Sequence, residues 1–164
     1  MSQTNMAVLK ASRKKLRPGD IFTMRFPPVG YLYGRVIEAG MDAGPMGPGS
    51  NLVYVYDHVG EEVESLEMLD RNLRRDRLMF GPVFINRLPW SRGYFHTVYW
   101  QELREFDRLA GHYFIDPVRN IVRAQDGLEI VPPTDARFGF WGLDSYRSLD
   151  ARISDELGIP LADD

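Results

Sequence analysis

Cysteine is absent from this 164-residue chain. That excludes disulfide staples, thiolate zinc sites, iron–sulfur clusters and a cysteine nucleophile, and it suits a reducing compartment. Histidine is scarce. His58, His96 and His112 are the three, and none shows the i,i+4 pairing of sequence-readable zinc sites, so neither a metal nor a cofactor is expected. Long apolar runs are missing as well: nowhere do about 18 uninterrupted apolar residues occur, so no membrane span is expected. There is no Gly-x-Ser-x-Gly elbow, and the glycine-rich stretch 44–49 places proline where phosphate-binding N–H groups are needed. Charge of one sign is lacking too. With 20 Lys and Arg against 23 Asp and Glu the net charge is −3, so whole-molecule attraction to nucleic acid or anionic lipid is not expected.

The charge is nevertheless segregated. Residues 1–17 carry Lys10, Arg13, Lys14, Lys15 and Arg17 and no acid, whereas residues 126–164 hold three arginines against nine acids. The basic segment lacks the apolar run of a signal peptide, because Pro18, Gly19, Asp20, Pro27 and Pro28 break up the residues after it. It reads as a flexible N-terminal arm on a single globular domain, residues 18–164, with cytoplasmic residence.

From Pro18 the pattern is β. Ile21–Phe26 and Tyr31–Glu38 have strand composition and are joined by Pro27-Pro28-Val29-Gly30, which predicts a hairpin. Strict alternation puts Tyr31, Tyr33, Arg35 and Ile37 on one face and Leu32, Gly34, Val36 and Glu38 on the other. Gly34 inside a strand marks a bulge, a bend or a close backbone approach. Residues 40–51 form a Gly/Pro loop, and Leu52–Tyr56 is a strand. The apolar spacing of Val63, Leu66, Leu69 and Leu73 then predicts a helix over 61–77, with glutamates crowding its first turns and arginines its last.

Further strands are predicted at Val83–Ile85, at Gly93–Trp100 with Phe95, Thr97 and Tyr99 sharing a face, and at His112–Ile115 and Asn120–Arg123 as a hairpin turned at Asp116-Pro117. A final helix has Ser145 near its cap, the stripe Tyr146, Leu149, Ile153 and Leu157, and Gly158 as its stop. The expected fold is α+β and β-dominant: a twisted, mainly antiparallel sheet or partly open SH3-like barrel with about two packed helices.

Two clusters stand out. Asp20, Tyr31, Tyr33, Arg35 and Glu38 lie on the first hairpin and can line one surface. The stretch from Asp57 to Asp70 holds Asp57, Glu61, Glu62, Glu64, Glu67 and Asp70 and no Lys or Arg, a negative patch of the kind that steers a basic partner. Tyr31, Tyr33 and Arg35 join these six acids as candidate partner-binding residues.

The segment Arg17-Pro18-Gly19-Asp20-Ile21-Phe22, followed by Tyr31-Leu32-Tyr33-Gly34-Arg35-Val36-Ile37, resembles the immunity protein 26 family of bacterial polymorphic toxin systems. Val53-Tyr54, Phe84-Ile85-Asn86 and Trp90-Ser91-Arg92-Gly93-Tyr94-Phe95 extend the likeness over roughly residues 15–125. The resemblance implies a mostly β protein that binds and neutralises a cognate toxin inside the producing cell by covering its surface. Some small proteins with this signature are labelled phosphotriesterases, which gives a hydrolase alternative. In it Arg35 polarises a phosphoryl oxygen and Glu38 acts as base, with Tyr31 and Tyr33 beside them. A second alternative is a small-barrel nucleic-acid binder using Lys10 to Arg17. Homo-oligomerisation is left open.

Overall fold

The β-rich first half folds as its alternation directs, into long strands buried on both faces. A computed structural model describes residues 4–41 and 46–163. Strands β1 (Asp20–Phe26) and β2 (Gly30–Met41) form the predicted hairpin, and β3 (Ser50–Gly60) returns antiparallel along β2. The predicted Gly/Pro loop over 40–51 thus narrows to the residues between β2 and β3, and its members 42–45 lie outside the described residues. With β4 (Val83–Ile85), β5 (His96–Trp100) and β9 (Leu143–Asp144) these strands make a six-stranded sheet in the order β5-β1-β2-β3-β4-β9. All its pairings are antiparallel except β4 with β9. A second, three-stranded sheet joins β6 (Tyr113–Asp116) to the predicted hairpin partner β7 (Ile121–Ala124) and to β8 (Phe138–Phe140), a strand too short to be read from sequence.

Each face of the large sheet buries its own apolar layer. On one face Phe22, Met24, Val36, Val53 and Val55 pack against Trp90, Phe95 and the helix α3 (Tyr146–Leu157). The predicted stripe holds there: Leu149 and Ile153 are fully buried, Ser145 caps the helix and Gly158 ends it in a left-handed conformation. On the opposite face Ile21, Tyr33, Ile37, Leu52, Tyr54 and Tyr56 meet Leu69, Leu73, Phe84 and Phe114. Gly34 is where the first layer comes closest to the strand. A Cβ there would lie 2.2 Å from the Phe22 ring and 2.8 Å from the Tyr54 carbonyl oxygen, so only glycine fits.

Three expectations change. The helix predicted over 61–77 is confined to α1 (Leu66–Asn72) and a 3-10 turn at Arg75–Arg77, because β3 runs on to Gly60 and Ser65 provides the cap by accepting from Met68 N–H. Residues 87–92, which join the predicted strands Val83–Ile85 and Gly93–Trp100, contain the four-residue helix α2 (Leu88–Ser91), where no helix is expected. The segment read as an arm over 1–17 is anchored to the domain at Thr4, Met6 and Leu16, with Lys10, Ala11 and 13–15 exposed between these anchors. Met6 is 2% exposed and its N–H donates to Asp150 Oδ1, Ala7 N–H donates to Arg25 O, and Leu16 is buried; residues 1–3 lie outside the described residues. No helix among the described residues is long and apolar enough to cross a membrane.

Candidate functional site

Strand β2 brings Tyr31, Tyr33, Arg35 and Glu38 to one face of the sheet, though strict alternation would have turned Glu38 away. The β2–β3 register shifts between Val36 and Glu38, so that Val36 pairs with Val53 and Glu38 with Leu52. This bulge re-aims Glu38 onto the Tyr33 side. There its Oε2 accepts from Gln125 Nε2, and Gln125 Oε1 lies 2.8 Å from His112 Nδ1. The same displacement acts on β5, where Thr97 pairs with Phe22 and Tyr99 with Ile21. Tyr99 therefore shares a face with Ile21 rather than with Thr97 and Phe95.

The hairpin cluster is not an open surface. Tyr33 is fully buried, Arg35 is 1% exposed, Asp20 is 3% exposed and bonded to Arg17 N–H, and only Tyr31 and Glu38 reach the surface in part. Arg35 Nη1 lies 2.9 Å from Asp107 Oδ1, an ion-pair distance whose angles give no aligned hydrogen bond to any guanidinium nitrogen. Asp107 is held more firmly by Arg104, whose backbone N–H and Nε both reach Oδ2 while Nη2 also donates to Asp70. Burial works to raise the Asp107 carboxyl; these bonds from Arg104, with Arg35 beside them, outweigh it and hold the group below the usual carboxylate range. Arg35 is thus a buried charge with a fixed counter-ion, closed off from any substrate phosphoryl group. It was legible as a strand residue but not as a core one, because Asp107 is far away in sequence.

Tyr33 reaches the acidic segment from below. Its hydroxyl donates to Glu62 O at 3.2 Å and accepts from Glu64 N–H at 2.9 Å, and the Tyr99 hydroxyl donates to Glu64 O at 2.8 Å. Burial pushes the Tyr33 phenol above its ordinary value against the bond from Glu64 N–H, so the phenol stays protonated at neutral pH and keeps donating. His58 Nε2 sits 2.7 Å from Glu64 Oε2, both side chains being mostly buried. Residues 61–65 therefore form a fixed strap rather than the first turns of a helix.

The six acids divide accordingly. Asp57, Glu61, Glu62 and Glu67 are exposed, Glu67 with the solvated Arg71 as partner, while Glu64 is held by His58 and Asp70 by Arg104. Between them stand apolar side chains that the acid count did not single out: Val59, Val63 and Met68, each more than a third exposed. Further along α1 a cavity of about 540 Å³ opens between Asp70, Leu73, Arg74, Asp76 and Asp107, with Phe106 at its edge. Phe106 is 58% exposed and the Arg104 guanidinium lies 4.3 Å from its ring centre. Fixed backbone, exposed acids, interleaved apolar groups and a cavity with an aromatic rim are what a protein-binding surface offers.

Comparison with family models matches residues 17–119 to the family described as Immunity protein 26. No curated protein and no solved structure gives a match. The matched span runs from the foot of β1 to the turn after β6, and so includes the tyrosine face, the acidic strap, α1 and the Arg104–Asp107 pair. The chain belongs to the immunity protein 26 family.

Proposed function

We propose that this protein neutralises a cognate toxin in the cytoplasm of the producing cell by occluding it, and that residues 57–70 with Phe106 form the contact surface. The observation that supports this most is the strap. Tyr33 and Tyr99 fix its backbone from the core between β3, which carries Asp57 and Val59, and α1, which carries Glu67 and Met68, so these side chains and Glu61, Glu62 and Val63 are presented on a preformed backbone. Four exposed carboxylates suit a basic partner surface, with apolar contacts at the centre.

The test uses the C-terminal domain of the toxin encoded beside the gene. Reversing Glu61, Glu62 and Glu67 to lysine is expected to slow association about tenfold at low ionic strength and to flatten its salt dependence. Met68→Asp is expected to speed dissociation instead. Unchanged rates in both variants, measured by surface plasmon resonance across a salt series, would remove this face from the interface. Glu64 is left intact because its side chain is held by His58 within the strap.

A further inference from the structure

The opposite charge gathers elsewhere. Lys10, Lys14, Lys15 and Arg17 form one wall of a groove of about 350 Å³, and β5 from His96 to Trp100 forms the other. Among the described residues the lysines make no ion pair, and Arg17 has only Asp20, at 3.6 Å. All four cations are exposed.

The second wall is the terminal strand of the six-stranded sheet. One edge of β5 pairs with β1. No hydrogen bond from a described residue reaches the backbone of His96–Trp100 from the other side. Every residue of this strand is partly or fully exposed, unlike the buried centres of β1, β2 and β3. An uncovered strand edge is a template for another strand. Its length admits about five residues, or roughly 17 Å of extended chain.

We propose that this groove receives an extended acidic segment of a partner protein, which adds to the sheet beside β5 while Lys10, Lys14 and Lys15 pair with its carboxylates. Backbone pairing supplies the affinity and the lysine row selects the charge. A nucleic acid fits less well, because the aromatic groups here are already engaged. Arg17 lies 5.0 Å from the Trp100 ring centre, the Trp100 indole N–H donates to Pro18 O, and the Tyr99 hydroxyl is bonded to Glu64 O. Trp100 stays 46% exposed, but Arg17 and the Pro18 carbonyl already engage it, which disfavours a stacked base. His96 adds little positive charge at neutral pH, since burial and then Lys10 hold its imidazole below the ordinary value. This surface is separate from the acidic strap, and its test does not depend on the toxin reading.

The experiment titrates the full chain with a fluorescein-labelled octapeptide of alternating glutamate and valine at low salt. Saturable polarisation is expected, with amide shifts confined to residues 96–100 and 10–17. The variant Lys10→Glu/Lys14→Glu/Lys15→Glu changes only exposed side chains, and circular dichroism verifies its fold; it is expected to bind at least about tenfold more weakly. The same peptide methylated on alternate backbone nitrogens is expected to lose binding to a similar extent. Absence of saturable binding would overturn the proposal. Equal binding of the methylated peptide would reduce it to ion exchange, and tighter binding of oligothymidylate would assign the groove to nucleic acid. A concentration-dependent dimer abolished by the triple variant would assign it to a second copy of this chain. Each of these three results also overturns the proposal.

Discussion

Removing Asp107 leaves Arg35 as an uncompensated charge inside the protein, and the cost is set by the surroundings of that guanidinium. Arg35 is 1% exposed, Asp107 Oδ1 is its counter-ion at 2.9 Å, and none of its nitrogens has an aligned hydrogen bond to a described residue that would retain it. Breaking a buried pair from one side costs about 3–5 kcal/mol, and Asp107→Ala is expected in that range. Arg104 adds little, because its side chain is one-third exposed and keeps Asp70. The reverse variant behaves differently. Arg35→Met removes the charge, leaves Asp107 bonded to Arg104, and fills the site with an apolar chain, so its cost is expected below about 2 kcal/mol. The double variant Arg35→Met/Asp107→Ala is expected to be more stable than Asp107→Ala alone. Urea unfolding at neutral pH, with the denaturant slope checked for constancy, measures all three. If Asp107→Ala costs less than about 1 kcal/mol, or the double variant is the least stable of the three, Arg35 is not a buried charge dependent on Asp107.

Three further outcomes rest on the same structure. Gly34→Ala forces a Cβ to 2.2 Å from the Phe22 ring, and is expected to destabilise by about 1–3 kcal/mol in urea melts. Met6→Ala is expected to cost about 2–5 kcal/mol, because Met6 is 2% exposed in the core; a change below about 0.5 kcal/mol would show the basic segment to be a loose arm after all. Burial holds His112 and His96 below the ordinary imidazole value, with Lys10 adding to the effect at His96. The unfolded chain then takes up these protons first, so stability is full above about pH 6.5 and declines as pH falls through the folded values, by up to about 1.4 kcal/mol per pH unit for each ring. Chemical melts at stepped pH, repeated on His112→Gln/His96→Gln, are expected to show that slope reduced in the variant.

What was legible in the sequence is whatever depends on period and local chemistry. The first hairpin, the β6–β7 hairpin and the capped stripe of α3 rest on local pattern and turn chemistry, and Gly34 showed as a glycine inside a strand, although Phe22 and Tyr54, which crowd it, are distant in sequence. The site was legible in composition but not in arrangement, for two physical reasons. A bulge adds one residue to one strand, and every side chain beyond it changes face; the shift after Val36 delivers Glu38 to the Tyr33 face, and the shift near Val98 delivers Tyr99 to Glu64. The second reason is distance along the chain. Charges at 61–77 matched a helix dipole, yet the backbone of Glu62 and Glu64 is claimed by hydroxyls from β2 and β5, which a local pattern cannot register. The consequence bears on function. Had the helix run from Glu61, its acids would lie on a surface stabilised mainly by its own dipole. Held by Tyr33 and Tyr99 instead, the strap inherits the rigidity of the sheet core. Tyr33→Phe, which leaves every exposed side chain in place and removes only the hydroxyl beneath the strap, should therefore both destabilise the fold by about 1–2 kcal/mol and weaken toxin binding. Lost stability with unchanged binding kinetics would separate the strap's anchoring from recognition.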